Sequence, residues 1–384
     1  MHLSLTERER ELQEEVRSFL ERALPELDPP PSGFDERVAY LRGWQRRLHD
    51  AGLVGLSWPR EHGGRGATLT EQIVANQEMA RAGAPPLIGN VGLDVVGPSL
   101  VEHGSEDQKA RFLDRILAAE DIWCQGFSET GAGSDLASLK TRAVVEDDGF
   151  RISGHKIWTS YAQHAQWCAV LARTDRDAPA HKGISYLLVD MSSPGIEVRP
   201  LVQATGDPEF GEVYFDDVVV PRENLLGPLH GGWRIAMHTL AHERGWYGLG
   251  RQVILRVLLD RLIEDARRLR RDGTAAIDDP AIRGALARAH VGIEVLKHQG
   301  YRSVGKMIAD GHPGPESSVD KVVLARVEQA LADAALDVLG ADAELHETWH
   351  HTYLYGRAAS VYGGSVQIQR NIIAERILGL PRSL

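Results

Sequence analysis

The hydrophobic periodicity changes twice along the chain, and this change restricts the fold more than any other feature of the sequence. Residues 1–118 and 229–384 repeat apolar side chains at the three- and four-residue spacing of amphipathic helices, whereas residues 119–228 hold short apolar or alternating runs separated by Gly and Pro. The middle region lacks helical patterns of the length that a βαβ unit needs, so a Rossmann sheet is not expected. The order predicts an α+β protein with an N-terminal helical domain (1–118), a central β-domain (119–228) and a C-terminal helical bundle (229–384).

Local signals place the elements within these regions. Thr6 with Glu9, and Ser105 with Gln108, have the spacing of capping boxes at helix starts. The acidic, His-rich stretch after residue 340 has no clear amphipathic pattern. The predicted strands are Phe150–Trp158, Cys168–Arg173, Ser185–Asp190 and Val213–Val220, and the predicted C-terminal helices span 232–270, 279–310, 317–340 and about 365–377.

Composition excludes several classes of protein. The net charge is −11 and no basic stripe runs between aromatic residues, so a nucleic-acid partner is not expected. No apolar run approaches the roughly 20 residues that span a bilayer. The first residues are acidic and polar, unlike a secretory or transit peptide, and the two cysteines, Cys124 and Cys168, form no disulfide framework. A cytoplasmic location is the expectation.

Glycines, hydroxyls and acids are concentrated between Gln125 and Asp135, just after an apolar strand. Glycines allow a close approach of backbone N–H groups to a ligand, and hydroxyl groups add hydrogen-bond donors. This composition suits a cofactor that carries phosphate or ring nitrogens. An ordinary Gly/Ser turn explains it equally well.

A second polar run, Gly154–Ser160, ends a predicted strand with Trp158 followed by two hydroxyl residues. Such a Trp offers a flat wall to an aromatic ligand, and the hydroxyls offer donors. A Trp taken by itself is more often part of a hydrophobic core.

Taken in order, these runs resemble two motifs of the acyl-CoA dehydrogenase family. Ser128-Glu129-Thr130 followed by Gly133-Ser134-Asp135 is similar to the family's first loop, with Thr130 in place of a proline, and Gly154-x-Lys156-x-Trp158-x-Ser160 is similar to its next strand. Two later stretches also match in order: Val213–Pro221 with Leu226-Gly227, and Val361–Asn371. The resemblance therefore covers most of the chain.

The resemblance implies an N-terminal helical domain, a central β-barrel-like domain and a C-terminal four-helix bundle, with the flavin of a bound FAD between the β-domain and the bundle. In the first loop it implies flavin contacts from Phe127 and Ser128 and a pyrophosphate contact from Ser134. Trp158 would stack beside the isoalloxazine and Ser160 would donate near N5. The full set of implied FAD-binding residues is Gln125, Phe127, Ser128, Gly133, Ser134, Trp158, Ser160, Arg270, Arg271, Ser365 and Gln367.

The same resemblance locates a catalytic base. Dehydrogenation needs a carboxylate that removes the α-proton and donors that polarise the thioester oxygen. Many members carry a Glu where this chain has Gly363, but the isovaleryl and long-chain branches carry it before an Arg on the first C-terminal helix, which corresponds here to Glu243-Arg244. We therefore expect Glu243 as the base, Arg244 as electrostatic support, and the Gly363 N–H as a donor to the thioester.

Contacts across subunits depart from the family pattern. Arg270 or Arg271 is expected to reach the FAD pyrophosphate of a neighbouring subunit, but the usual Phe after them is missing, and Asp337 stands where a FAD-contacting Gln is common. The resemblance implies a homotetramer or homodimer. The altered contacts also suit an α2β2 tetramer completed by a paralogue.

The resemblance leaves other activities open. The substrate is expected to be an acyl-CoA and the electron acceptor an electron-transferring flavoprotein. An oxygen-reacting relative, either an acyl-CoA oxidase or a flavin hydroxylase, is one alternative, and a non-catalytic partner subunit is another. His346-Glu347-x-x-His350 matches a zinc pattern, but surface or interface histidines are the preferred interpretation, so no metal is expected.

Overall fold

The computed structural model describes residues 4–311 and 314–381, without the side chains of residues 238 and 241–249. The helices before the sheet are α1 (Glu7–Ala23), α2 (Phe34–Asp50), α3 (Leu69–Ala82), α4 (Gly97–His103) and α5 (Glu106–Leu117). The helices after it are α6 (Gly232–Arg268), α7 (Pro280–Asp310), α8 (Ser317–Leu339), α9 (Glu347–Gly356) and α10 (Val366–Ile372). The predicted α+β fold, with helices on either side of a β-region in the sequence, is confirmed.

Both predicted capping boxes are present. At α1, the Thr6 hydroxyl accepts the Glu9 N–H at 3.3 Å, and the Glu9 carboxylate accepts the Thr6 N–H at 2.7 Å. At α5, Ser105 and Gln108 exchange the equivalent bonds at 3.2 and 3.1 Å. Each box satisfies two backbone donors that the helix itself leaves unpaired.

The central region forms one mixed sheet. Its strands are β1 (Trp123–Gly126), β2 (Arg142–Val145), β3 (Gly149–Ser160), β4 (Trp167–Arg173), β5 (Ile184–Asp190), β6 (Ile196–Leu201), β7 (Phe210–Pro221) and β8 (Leu225–Leu226). They lie in the order β6-β7-β3-β2-β4-β5-β8, and β1 pairs with β4. The β1–β4 and β2–β4 pairings are parallel and the others are antiparallel. This arrangement places β1 and the loop after it near β3, which carries the second polar run.

Several elements depart from the sequence prediction, among them β2, β6 and α9. Strands β2 and β6 are missing from it because β2 buries a single residue and β6 buries none completely, which weakens the apolar signal. The His-rich stretch does form a helix, α9, although it buries only Trp349 and Gly356 and so shows little amphipathic pattern. Burial against neighbouring elements, rather than local periodicity, decides these segments.

The chain divides into two compact units. The sheet unit comprises Glu26–Thr68 and Pro85–Glu243, and the helical unit comprises Met1–Pro25, Leu69–Ala84 and Arg244–Leu384. In the helical unit, α6, α7 and α8 bury apolar residues at helical spacing around one core, among them Leu255, Leu259, Leu262, Ile282, Leu286, Ile293, Leu324, Val327 and Leu331. Within the described residues, no helix is long and apolar enough to cross a membrane.

Candidate active site

The loop after β1, residues 127–135, begins inside the sheet unit and then emerges. Phe127 is buried, with its ring edge-on to Tyr186 at 5.7 Å between centroids. Glu129 and Ala132 exchange backbone hydrogen bonds at 3.1 and 3.0 Å, which closes a tight turn. Gly133 and Ser134 beyond the turn are exposed. The predicted cofactor residues of this loop are therefore anchored at one end and accessible at the other.

A buried ion pair joins this loop to β3. The Lys156 ammonium, with a side chain 0% exposed, lies 2.8 Å from Glu129 Oε1 and donates to the Phe127 carbonyl oxygen at 3.0 Å. The Glu129 carboxylate also accepts the N–H groups of Lys140 at 2.7 Å and Thr141 at 2.9 Å. Three donors from two segments of the chain thus fix one carboxylate.

Burial acts on the pKa of both partners of this ion pair, but the contacts that oppose it differ in strength. Burial lowers the pKa of Lys156, and the attraction of Glu129 offsets this only in part. Burial also acts to raise the pKa of Glu129, but the Lys156 charge and the backbone N–H donors outweigh it, so the pKa is lowered. The effect of burial on the pKa is opposed more strongly for Glu129 than for Lys156, because the Glu129 carboxylate has more hydrogen-bond donors around it and retains 10% exposure.

Trp158 lies at a break in the pairing of β3 with β7. The register shifts between Lys156 and Thr159, and Trp158 adopts φ 60°, a left-handed conformation that is uncommon for a bulky residue. Its side chain is 59% exposed and meets the edge of Phe210 at 6.1 Å. The core interpretation of a lone Trp does not hold here, because the bulge turns the indole outward.

These features fit a ligand with a flat ring and an anionic group. The indole of Trp158 is accessible, and a Cβ built at Gly131 or Gly133 meets no atom within 4 Å, so the outer side of the loop is open. The exposed Ser134 hydroxyl adds a donor beside those glycines. Ser160, which pairs with Phe210 beyond the bulge, lies on the same strand as Trp158. The structure thus gathers Gln125, Phe127, Ser128, Trp158 and Ser160 on β1, β3 and the loop that β3 braces.

In the helical unit, two successive glycines precede α10. Gly363 and Gly364 have φ of 61° and 85°, the left-handed region that favours glycine. The Nε2 of Gln369, which is completely buried, donates to the carbonyl oxygens of Gly363 at 3.3 Å and Gly364 at 3.2 Å. Tyr362 donates to Glu328 at 3.4 Å and has the Lys321 ammonium 3.8 Å above its ring. Contacts before and after Gly363 therefore fix the loop formed by residues 362–364.

The two predicted FAD residues after the glycines begin α10. The hydroxyl of Ser365 caps the helix by accepting the Ile368 N–H at 3.4 Å, and Gln367 is exposed in the first turn. Both side chains therefore stand at one end of α10, next to Gly363.

The two candidate arginines differ in their contacts. They form β9 (Arg270–Arg271), which pairs with β10 (Thr274–Ala275). Arg271 donates to the carbonyl oxygens of Asp337 at 2.6 Å and Val338 at 3.0 Å, at the C-terminal end of α8. Arg270 donates to the Arg267 carbonyl oxygen at 2.7 Å. Arg271 has a structural role in its own chain, because it satisfies carbonyls that α8 leaves unpaired.

The predicted catalytic pair and the histidine pattern are the two remaining predictions. The side chains of Glu243 and Arg244 lie outside the described residues, so their placement on α6 remains a prediction. His346 precedes α9 as its N-cap, and within the described ranges no group of three or more His, Cys, Asp or Glu side chains is arranged to hold a metal ion.

The sequence prediction assigns no role to Glu129, Lys156 or Gln369. Glu129 and Lys156 are part of the two recognised motifs, which was the available signal, but their pairing joins positions 27 residues apart. Gln369 lies two residues beyond a predicted FAD residue, and nothing in its local pattern indicates that its amide returns to the glycines.

Comparisons with known proteins identify the family of the chain. The chain matches the N-terminal domain model of acyl-CoA dehydrogenases over residues 6–120, the middle domain model over 124–218 and the C-terminal domain model over 230–378. It is 44% identical to acyl-CoA dehydrogenase IpdE1 of Mycobacterium tuberculosis over 355 residues, which is 91% of this chain and 89% of the relative.

Solved structures give the same result. The ChsE4-ChsE5 complex from Mycobacterium tuberculosis superposes with a TM-score of 0.87 at 30% identity and covers 100% of both chains. A structure described as the Tcur3481-Tcur3483 steroid ACAD superposes with a TM-score of 0.85 at 28% identity, again over 100% of both chains. Three consecutive domain models and a 44% identical relative over nine-tenths of the length show that this chain is an oxidoreductase of the acyl-CoA dehydrogenase family.

Proposed function

We propose that the chain binds FAD and catalyses α,β-dehydrogenation of an acyl-CoA thioester. The observation that carries the proposal is Trp158, an exposed indole that a left-handed bulge holds beside the 127–135 loop. Phe127, Ser128 and Ser160 would meet the flavin, and Gln125, Gly133 and Ser134 would bind the rest of the cofactor, with Ser365 and Gln367 contributing from α10. When bound, FAD supplies the flavin N5 atom that accepts hydride from the substrate β-carbon.

We propose Glu243 as the base that removes the α-proton, with Arg244 supporting the site electrostatically. Position 363 supports this assignment because it carries glycine, so the alternative base position has no carboxylate. The Gly363 N–H would polarise the thioester oxygen. Gln369 and Tyr362 would keep that N–H in place, since they hold the residues on either side of it.

The proposed substrate class is a bulky cyclic acyl-CoA of the steroid type. The support is the structural likeness to the protein described as a steroid ACAD, at 28% identity over the whole chain. An electron-transferring flavoprotein is the proposed electron acceptor.

Assembly is proposed as either a homo-oligomer or an α2β2 tetramer with a paralogue. The named two-component structures among the relatives favour the second arrangement. The contacts of Arg271 within its own chain also favour it, because this side chain already satisfies α8 carbonyls. Mass measurement of the chain expressed alone and with a neighbouring paralogue separates the two: a stable FAD-loaded homo-oligomer from the single gene would exclude the α2β2 form.

The visible spectrum of the purified chain tests the activity. We expect a yellow protein whose flavin band bleaches without oxygen when a steroid-type acyl-CoA is added, and bleaches less with short linear acyl-CoAs. Glu243→Gln should retain the flavin and lose bleaching. The matched control is Glu264→Gln, a half-exposed residue further along α6, which should bleach normally. A flavin that no acyl-CoA bleaches, or a Glu243→Gln variant that bleaches at the normal rate, would contradict the proposal.

A further inference from the structure

Lys156 places a charged group where a sheet normally buries apolar side chains. Its side chain is 0% exposed, and its two acceptors, the Phe127 carbonyl oxygen and Glu129 Oε1, lie within a stretch of three residues. A buried ion pair of this kind contributes little net stability compared with apolar side chains of similar volume. Stability alone is therefore a weak reason for this arrangement.

The contacts converge on the backbone of residues 127–129. Lys156 holds the Phe127 carbonyl, and the next residue of β3, Ile157, donates its N–H to the Ser128 carbonyl oxygen at 3.0 Å. The Glu129 carboxylate, fixed by Lys156 and by the Lys140 and Thr141 N–H groups, holds the far side of the same segment. Two consecutive peptide groups are thus locked to β3 in one orientation.

The lysine contact also changes the electronic character of one peptide. The Phe127 carbonyl and the Ser128 N–H belong to the same peptide group. An ammonium that binds the carbonyl oxygen draws electron density toward it and strengthens the N–H on the other side as a donor, and a buried setting strengthens this effect.

We infer that Lys156 is a positioning residue for FAD, which orients and polarises the Phe127–Ser128 peptide so that the Ser128 N–H donates to the flavin ring. This inference rests on the proposed function, since it requires that the loop bind flavin. It adds a role to a residue that does not itself touch the cofactor. Loss of the polarised donor should weaken FAD binding about tenfold and shift the flavin reduction potential to more negative values, because the reduced ring carries more negative charge.

Three variants separate this role from simple stabilisation: Lys156→Met, Glu129→Gln, and the two combined. Lys156→Met alone leaves a carboxylate without its ammonium, and this variant is expected to be strongly destabilised. The double variant removes both charges and keeps the fold testable. Glu129→Gln leaves the buried ammonium without its carboxylate and is expected to be destabilised for the same reason. It retains the lysine contact with the Phe127 carbonyl, so under conditions in which it is folded it is the matched control for FAD binding.

The measurements are the FAD dissociation constant from fluorescence titration of apoprotein, the flavin absorption bands and reduction potential, and urea unfolding of the apoprotein. We expect the double variant to fold, to bind FAD about tenfold more weakly than wild type and to show the negative shift in potential, while Glu129→Gln stays within about threefold of wild type. A double variant with the wild-type dissociation constant and potential would overturn the positioning role and leave the proposed function intact. Wild-type apoprotein that binds no FAD would overturn the proposed function itself, and the inference with it.

Discussion

Asp320 is a carboxyl group buried in the first turn of α8, and we predict that Asp320→Asn stabilises the protein at neutral pH. Its side chain is 6% exposed and accepts a hydrogen bond from the Ser303 hydroxyl at 3.0 Å, which in turn accepts from Gln299 at 3.3 Å. Burial raises the pKa of Asp320 from its ordinary 3.8 to about 6; the bonds from Ser303 and Gln299 oppose this, and the nearby Glu316 charge adds to it. Ionisation of Asp320 therefore lowers the stability of the folded protein.

The size of the cost follows from the two pKa values. Each pKa unit corresponds to about 1.4 kcal/mol, so ionised Asp320 costs the folded state about 3 kcal/mol above pH 6. Because the folded pKa is raised, the folded state binds the proton more tightly, and stability falls as pH rises from about 4 to about 6. Below that range the carboxyl group is protonated in both states and costs nothing. Asparagine keeps the acceptor for Ser303 and carries no charge.

Urea unfolding of the apoprotein, followed by far-UV circular dichroism, measures the effect. Asp320→Asn should raise the free energy of unfolding by about 1 kcal/mol at about pH 4.5 and by about 3 kcal/mol at about pH 8. Asp342→Asn, which changes an exposed carboxylate after α8, is the control and should shift stability equally at the two pH values. A gain for Asp320→Asn that does not change with pH, or a loss at about pH 8, would refute the reasoning.

Other substitutions test the glycines before α10, the bulge of β3 and the C-terminal end of α8. Gly364→Ala should lower the free energy of unfolding in urea by about 2–3 kcal/mol, because φ is 85° and the new Cβ would lie 2.3 Å from Gln369 Nε2. Gly363→Ala should lower it by about 1 kcal/mol, because φ is 61° and the nearest neighbouring atom is 3.7 Å from the new Cβ. Equal costs would contradict this. Trp158→Leu should leave stability within about 1 kcal/mol, because the indole is 59% exposed, and should raise the FAD dissociation constant on the order of tenfold in a fluorescence titration. Arg271→Ala should speed amide exchange in the last turn of α8 and cost about 1–2 kcal/mol, since two carbonyls lose their donor.

Features that depend on a few neighbouring residues could be read from the sequence. The capping boxes of Thr6 and Ser105 involve a side chain and a backbone group three residues apart, so the motif alone contains both partners. The long helices α6, α7 and α8 bury one apolar face each, and that face repeats often enough to be recognised. The loop motif at Ser128 was recognisable for the same reason.

Features that depend on distant contacts could not be read in this way. The burial of Asp320 results from the packing of α7 on α8, and no local pattern marks it as different from other acidic residues in a first helical turn. The carbonyl acceptors of Arg271 lie at the end of α8, more than sixty residues later in the chain, and no local pattern indicates them. The contact of Arg270 or Arg271 with the FAD of a neighbouring subunit stays a prediction. A sequence motif identifies residue types at a characteristic spacing, but the fold determines which distant residues they contact.

Strand β3 shows why burial itself can indicate function in this fold. Lys156 is fully buried and Trp158, two residues later, is 59% exposed, which reverses the usual preference of both residue types. Residues two apart on a regular strand share a face, so only the bulge between Lys156 and Thr159 permits this reversal. Selection for stability alone would favour an apolar residue inside and a polar one outside. Strand β3 does the opposite, which lowers its contribution to the stability of the fold. The proposed cofactor site explains this arrangement, because a ligand can contact the exposed indole of Trp158 and the loop that the Lys156 ammonium holds.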